Sequence, residues 1–326
     1  MKVKRLPEAV VIAEPASIKC ETAGNITRFV EMQKKPPLCP VLRVDSEHYV
    51  DTRDGQIGLY RHSETKEQCD ARSIYKSLAT LRGIINANCE NDEYLRWVTL
   101  TYRENMQDSK RLSKDFDVFW KRFRRYCSSE NWKVPEYITV AEPQGRGAWH
   151  LHLLMIFNGV APFIPNEQIA LFWGQGFTKT KPVHGVDNIG AYFSAYLADI
   201  PIEDAEKAGI VFDSATVLEK NVDEDGNTVK QSKRFVKGAR LSLYPAGMNF
   251  FRCSRGVKRP VVEDLSTLTY EEVAEKKASA GTLTFSQSCS LVDEDGKDCN
   301  TLTVSYYNRK RQKSQEECAD LSDKKQ

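Results

Sequence analysis

Two histidines stand one residue apart in "GAWHLHLLMIF", residues 147 to 157, and every other position from Trp149 to Phe157 is apolar. The chain holds only five histidines in 326 residues, so the pair calls for a chemical account. Successive strand residues point to opposite faces, which puts His150 and His152 on one face and Trp149, Leu151, Leu153 and Met155 on the other. Upstream, "EYITVAE" reads as a second strand with Ile138, Val140 and Glu142 on one face. The short connection "PQGRG" predicts an antiparallel hairpin that brings Glu142 beside His150. Two imidazoles and a carboxylate on an open surface can hold a divalent cation and leave room for substrate oxygens. These residues alone leave a structural role for the histidines equally open.

A second set of reactive groups lies about forty residues on. "DNIGAYFSAYLADI", residues 187 to 200, reads as a helix with Ile189, Phe193 and Leu197 as its buried stripe. Tyr192 and Tyr196 fall one turn apart on an adjoining face, and Asp199 follows three residues later. Paired aromatics at this spacing commonly pack. A phenol can also attack phosphorus when a metal polarises the phosphate oxygens.

A strand ending in "VTLT", an apolar-flanked "HLH" and a helix with Tyr-x-x-x-Tyr resemble, in that order, the three motifs of HUH endonucleases. More narrowly, they resemble the rolling-circle replication initiators of bacterial plasmids and phages. The resemblance runs from about residue 70 to 262 and includes the basic "YPAGMNFFRCSRGVKRP". It implies an α+β fold, HUH/RRM-like, with a central antiparallel sheet and helices packed on one face. It implies that His150 and His152, with Glu142 as the upstream acid, hold Mg²⁺ or Mn²⁺. Tyr192 and Tyr196 would be the nucleophiles: one attacks a DNA strand and keeps its 5′ phosphate, and the other serves the closing transfer. The family often has lysines where this chain has Ala195 and Asp199. A lysine beside the phenol favours its ionised form, so that assistance is missing here, and Asp199 becomes a candidate metal ligand or base.

The elements that must position these groups are legible as patterns. "DARSIYKSLATLRGIINANC" carries Ile74, Leu78, Leu81 and Ile85 at helical spacing, and "LRWVTLTY" reads as a strand. "SKDFDVFWKRFRRYCSSEN" reads as a helix capped by Ser113, with Phe116, Phe119, Trp120 and Phe123 inward and Arg122 and Arg125 outward. "NVDEDGNTVK" and "LVDEDGKDCNTLTV" resemble hairpins with acidic turns; the first also approaches an EF-hand loop but lacks the twelfth-position Glu. From Lys230 to Arg259 there are nine basic residues and no acid, interleaved with Phe235, Tyr244, Phe250 and Phe251. Lys233, Arg234, Lys237, Arg252, Arg255 and Lys258 are therefore candidate DNA contacts, with Arg122 and Arg125 as lesser ones.

The organisation expected is an N-terminal arm with short strands over 1–70 and a nicking domain over 71–205. A basic β-rich extension follows over 206–262, and a polar, partly ordered tail over 263–326. Nine dispersed cysteines without a CxxC pair argue against a disulfide framework and a zinc ribbon, pointing to a bacterial cytoplasm. No apolar run approaches membrane-spanning length and no signal peptide is expected. The expected partner is single-stranded or hairpin DNA at a replication origin. No GxxxxGK[ST] occurs, so unwinding would need a host helicase. The alternatives are a mobilisation relaxase, a single-strand transposase, or a non-catalytic origin-binding protein with a degenerate site.

Overall fold

The computed structural model describes residues 2–35, 41–45, 47–51, 55–59, 66–183, 185–222, 231–245, 248–292 and 296–311. The chain forms two compact units, residues 67–259 and residues 1–66 together with 260–326. The N-terminal strands are β1 (Lys2–Arg5), β2 (Ser17–Ala23), β3 (Ile26–Met32), β4 (Val41–Arg43), β5 (His48–Asp51) and β6 (Ile57–Leu59). The last three form a small sheet in that order.

The unit 67–259 opens with helix α1 (Lys66–Asn88) and strand β7 (Leu95–Thr101). Helix α2 (Ser109–Ser129), the hairpin β8 (Glu136–Pro143) and β9 (Trp149–Ile156), helix α3 (Asn166–Trp173) and strand β10 (Thr178–Pro182) follow. After them come α4 (Ile189–Ala198), β11 (Ile200–Pro201), α5 (Ile202–Lys207), β12 (Val217–Val222), β13 (Gln231–Val236) and β14 (Phe251–Cys253). The central sheet runs β10-β7-β9-β8-β14, and every neighbouring pair is antiparallel. A smaller sheet, β11-β13-β12, grows from the chain just after α4.

The alternation along β9 divides the work between the faces of the central sheet. Tyr137, opposite Met155, meets the rings of Phe116 and Trp120 from α2, so α2 lies against the face of Leu151, Leu153 and Met155. Helix α3 packs beside α2, with Phe172 against Phe123 and Trp173 against Phe119. Helix α2 begins four residues before the expected Ser113. Asp108 caps it, accepting from Lys110 N at 2.8 Å and Arg111 N at 3.2 Å, which brings Leu112 into the buried stripe.

The face carrying the histidines bears α4, whose Phe193 stacks on Trp97 of β7 at a centroid distance of 3.9 Å. Helix α1 backs α4: Asn86 Oδ1 accepts from Gly190 N at 2.8 Å, and its Nδ2 donates to Asn188 Oδ1 at 3.1 Å. The α+β class with a central antiparallel sheet is thus as the resemblance implied, with the helices shared between the two faces.

The other unit joins the ends of the chain. Strand β15 (Val261–Asp264), helix α6 (Tyr270–Ser279) and the long hairpin β16 (Thr282–Val292) and β17 (Asp298–Asn308) complete a sheet of order β1-β16-β17-β3-β2-β15. Ile18, Cys20 and Phe29 of the sheet pack with Leu265, Val273 and Ala280. Other buried positions are polar. Ser288 and Thr303 share a hydrogen bond of 2.7 Å, Val10 N donates to Ser288 Oγ, Thr303 Oγ1 donates to Val10 O, and Asn25 Nδ2 donates to Asn308 Oδ1. The expected arm over 1–70 and polar tail from 263 are therefore largely one sheet. Its buried Ser, Thr and Asn satisfy one another by hydrogen bonds and leave no apolar alternation in the sequence. Both acidic-turn hairpins form, β12–β13 and β16–β17. The EF-hand-like loop, Tyr196's side chain and residues 312–326 lie outside the described residues.

Gly190 is the tight point between α1 and α4: a Cβ there would run into the Arg82 carbonyl and lie 2.8 Å from Asn86 Oδ1. Gly190→Ala should therefore cost about 1–3 kcal/mol, read as a lower urea midpoint with an unchanged slope.

Candidate active site

The β8–β9 hairpin closes through a turn in which Gly147 N donates to Gln144 O and Gln144 N to Ala148 O, both at 2.8 Å. Gly147 takes φ of 85°, the left-handed region that favours glycine. The resulting register sets Glu142 directly opposite His150 and Val140 opposite His152. On the other side of β9, Thr101 is opposite His150 and Thr99 opposite His152. The three expected ligands are therefore neighbours on one face.

Glu142 and His152 are almost fully buried, at 2% and 1% exposure. Glu142 Oε2 lies 2.5 Å from His152 Nε2, and Oε1 forms an ion pair with Arg240 Nη1. Trp97 Nε1, which can only donate, points to His152 Nδ1 at 3.3 Å, with Thr99 Oγ1 at the same distance. Nδ1 is thus the acceptor, and the ring proton belongs on Nε2, toward the carboxylate. Burial pushes the Glu142 carboxyl up, but Arg240 and then His152 outweigh it and hold it at about 2. His150 is pushed down to about 4 by burial, against the upward pull of Glu142.

Arg240 had no place in the sequence reading. It lies in a 3-10 turn, Ala239–Leu243, and is 6% exposed. Its Nη1 donates to Pro143 O at 3.0 Å, while Nε and Nη2 donate to Asp199 O at 3.1 and 3.0 Å. Asp199 is itself buried: it ends α4, and its Oδ1 accepts from Gly238 N at 2.8 Å. Asp199 is thus drawn to the Gly238–Arg240 segment. The available signal was "GARLSLYP", in which Arg240 is the one charge among apolar and small neighbours. Trp97 and Thr99 were also missed, although the alternation of "LRWVTLT" places both with Thr101 on the histidine face.

Tyr192 is half-exposed, and its ring meets the edge of Trp97 at 5.8 Å; Trp97 meets His152 at the same centroid distance. Trp97 therefore links the tyrosine helix to the imidazole. Tyr196 follows one helical turn later. The candidate DNA contacts are dispersed. Arg122 donates to Phe172 O at 2.9 Å, under the face away from the histidines, and Arg125 is exposed on the same helix. Lys233 and Arg234 belong to β13, and Lys237 follows it. Arg252 on β14 pairs with Asp117 at 2.9 Å and lies over the Phe116 ring. Arg255 and Lys258 are exposed beyond β14, where Lys258's backbone N and O both bond Asn88 at 2.9 Å.

Residues 95–200 match the model of the replication-associated protein ORF2 family. The match is to a replication-associated segment. It begins with β7, ends in β11 and contains Glu142, His150, His152, Tyr192, Tyr196 and Asp199, whereas Arg240 lies beyond it. No curated protein and no solved structure matches the chain. No helix among the described residues is long and apolar enough to cross a membrane.

Among the described residues, no group of three or more His, Cys, Asp or Glu is arranged as a ready metal cage. The reason is visible at Glu142: one oxygen faces His152 and the other is held by Arg240. The donor chemistry nevertheless fits a divalent cation, because imidazole nitrogens and a carboxylate suit Mn²⁺ and the carboxylate suits Mg²⁺. Adjacent ligands around such an ion stand roughly 3 Å apart, so Glu142 Oε2 and His152 Nε2 need only part by about half an ångström.

Removing Arg240 leaves a buried carboxylate poorly compensated. Arg240→Met should cost about 3–5 kcal/mol, and adding Glu142→Gln should recover part of that loss in a double-mutant cycle of urea unfolding. Acid should act in two windows. Between pH 6.5 and 4 the unfolded chain binds the His150 proton more readily than the folded one, so stability falls as pH drops. Between 4.5 and 2 protonation removes what ionised Glu142 contributes, and stability falls further. His150→Gln should flatten the first window and leave the second, measured as urea midpoint against pH.

Proposed function

We propose that the chain nicks and rejoins one DNA strand at a replication origin to start rolling-circle replication. One observation carries this reading: within the replication-associated segment, Glu142, His150 and His152 share a sheet face with Trp97, on which Tyr192 packs. In the proposed step the Tyr192 phenol oxygen forms a bond to phosphorus as the bond to the 3′ oxygen breaks. The half-exposed phenol gives its proton to solvent, the departing 3′ oxygen takes one up, and the 5′ phosphate stays on the tyrosine. Tyr196, one turn along α4, would serve the return transfer. His150, His152 and Glu142 would hold Mg²⁺ or Mn²⁺, which supplies charge neutralisation at the phosphate oxygens when bound. Trp97 orients His152 through its indole N–H, and Arg240 orients Glu142.

The ion pair of Arg240 with Glu142 also supports a second reading, a non-catalytic origin-binding protein in which that pair stands where the cation would be held. Labelled single-stranded origin DNA with Mn²⁺ separates the two. The first reading expects a covalent adduct that survives denaturation, disappears with EDTA and is absent from Tyr192→Phe. His150→Ala or His152→Ala should reduce it by more than the roughly 10–100-fold that loss of an outer-shell partner costs. Tight duplex binding by the wild type with no adduct would establish the second reading instead.

A further inference from the structure

The register of the central sheet extends one strand beyond the histidines, to its edge. Thr101 N donates to Phe177 O at 2.9 Å and Arg103 N to Gln175 O at 3.0 Å, so the β7–β10 ladder continues past the start of β10. Phe177 is thereby opposite Thr101, Lys179 opposite Thr99, and Lys181 opposite Trp97. Reading across the strands gives three rows on one face: Phe177–Thr101–His150–Glu142, Lys179–Thr99–His152–Val140, and Lys181–Trp97–Leu154–Ile138. The intervening residues confirm the parity. Thr178 and Thr180 turn their hydroxyls the other way, to Asn166 Oδ1 at the start of α3, at 3.1 and 3.4 Å.

Lys179 and Lys181 are exposed, and Phe177 is 72% exposed, unusual for a phenylalanine whose backbone is held in a ladder. No acid occurs in the chain between Glu167 and Asp187. Lysines on an edge strand also discourage edge-to-edge pairing, but that purpose is opposed by an exposed aromatic ring beside them. A stacking platform followed by two cations at alternate positions, roughly 7 Å apart along the strand, is instead what single-stranded DNA requires: a ring for a base and charges for successive phosphates. The β10 edge is two ladder spacings, roughly 10 Å, from β9, so a strand held there passes beside the histidines, with Lys181 at the Trp97–Tyr192 end.

We propose that Phe177, Lys179 and Lys181 form a binding track for single-stranded DNA along the β10 edge, with a base on Phe177 and phosphates on the two lysines. This rests on the reading that the chain acts on single-stranded DNA. The test is fluorescence anisotropy of the full chain with fluorescein-labelled oligo(dT) of about 15 nucleotides, titrated across a range of salt. Lys179→Ala/Lys181→Ala should lower the slope of log K against log salt by about 1.4 in magnitude, roughly 0.7 for each phosphate no longer neutralised. Phe177→Ala should weaken binding about tenfold with the slope unchanged, and Phe177→Trp should restore it. Arg125→Ala, on the helix under the opposite face, should have the smaller effect. If the wild type does not bind oligo(dT), this inference and the underlying reading both fall. If the wild type binds, and forms the adduct, while the β10 variants keep its affinity and slope, only the track is overturned.

Discussion

A carboxylate taken out of water costs several kcal/mol unless its charge is met at close range, and Glu142 is met from two sides. His152 lies against one oxygen and Arg240 against the other. Arg240 brings more than charge, because its planar fork has donors to spare. Those donors reach Pro143 O on the same strand and Asp199 O at the end of α4. The need to compensate one buried charge therefore ties the β8–β9 hairpin, the tyrosine helix and the turn after β13 into one assembly. Asp199 tightens it by accepting from Gly238 N, where φ of 70° allows the chain to double back toward α4.

Trp97 provides the second tie, and it is made of shape rather than charge. Its ring stacks on Phe193 and meets Tyr192 edge-on, while its N–H fixes the acceptor nitrogen of His152. Aromatic contacts of this kind contribute about 0.5–1.5 kcal/mol each beyond burial, enough to hold a helix at a defined angle. Helix α4 is thus fixed near its middle through Trp97 and at its end through Arg240. Helices α2 and α3 reach neither point. Their aromatic cluster stiffens the sheet from the opposite face, which leaves the histidine face to be shaped by α4 alone.

What the sequence made legible follows from which forces are local. Alternation along "WHLHLLMI" and "EYITVAE" yields the shared face of Glu142, His150 and His152, because strand parity is a backbone property. The stripe of Phe116, Phe119 and Phe123 likewise marks α2, although its start shifts because the Asp108 cap outcompetes Ser113. Arg240 was hidden because its partners are 41 and 97 residues away, and a basic residue in a basic stretch looks solvated. The sheet joining the two ends of the chain was hidden for a different reason. Ser288, Ser290, Thr303 and Ser305 are buried, so its interior does not register as hydrophobic periodicity. The basic run 230–259 was read as one surface. The fold instead divides it between β13, a buried guanidinium and β14, which belong to different sheets or to none.

The departure at Ala195 and Asp199 from the lysines of the resembled pattern becomes intelligible in these terms. Position 199 caps α4, is buried, and faces a backbone N–H with its carboxylate while its carbonyl receives Arg240. A lysine there would be a second cation buried beside Arg240, with Glu142 already paired and with no acceptor for the Gly238 N–H. Position 195 is only half-exposed, and its carbonyl accepts from Asp199 N in closing the last turn. Once an arginine has been recruited to the back of the carboxylate, the end of the tyrosine helix has no room for a positive side chain. Cationic help for a phosphate approaching Tyr192 then has to arrive from across Trp97 rather than along α4, and the residue in register on that side is Lys181.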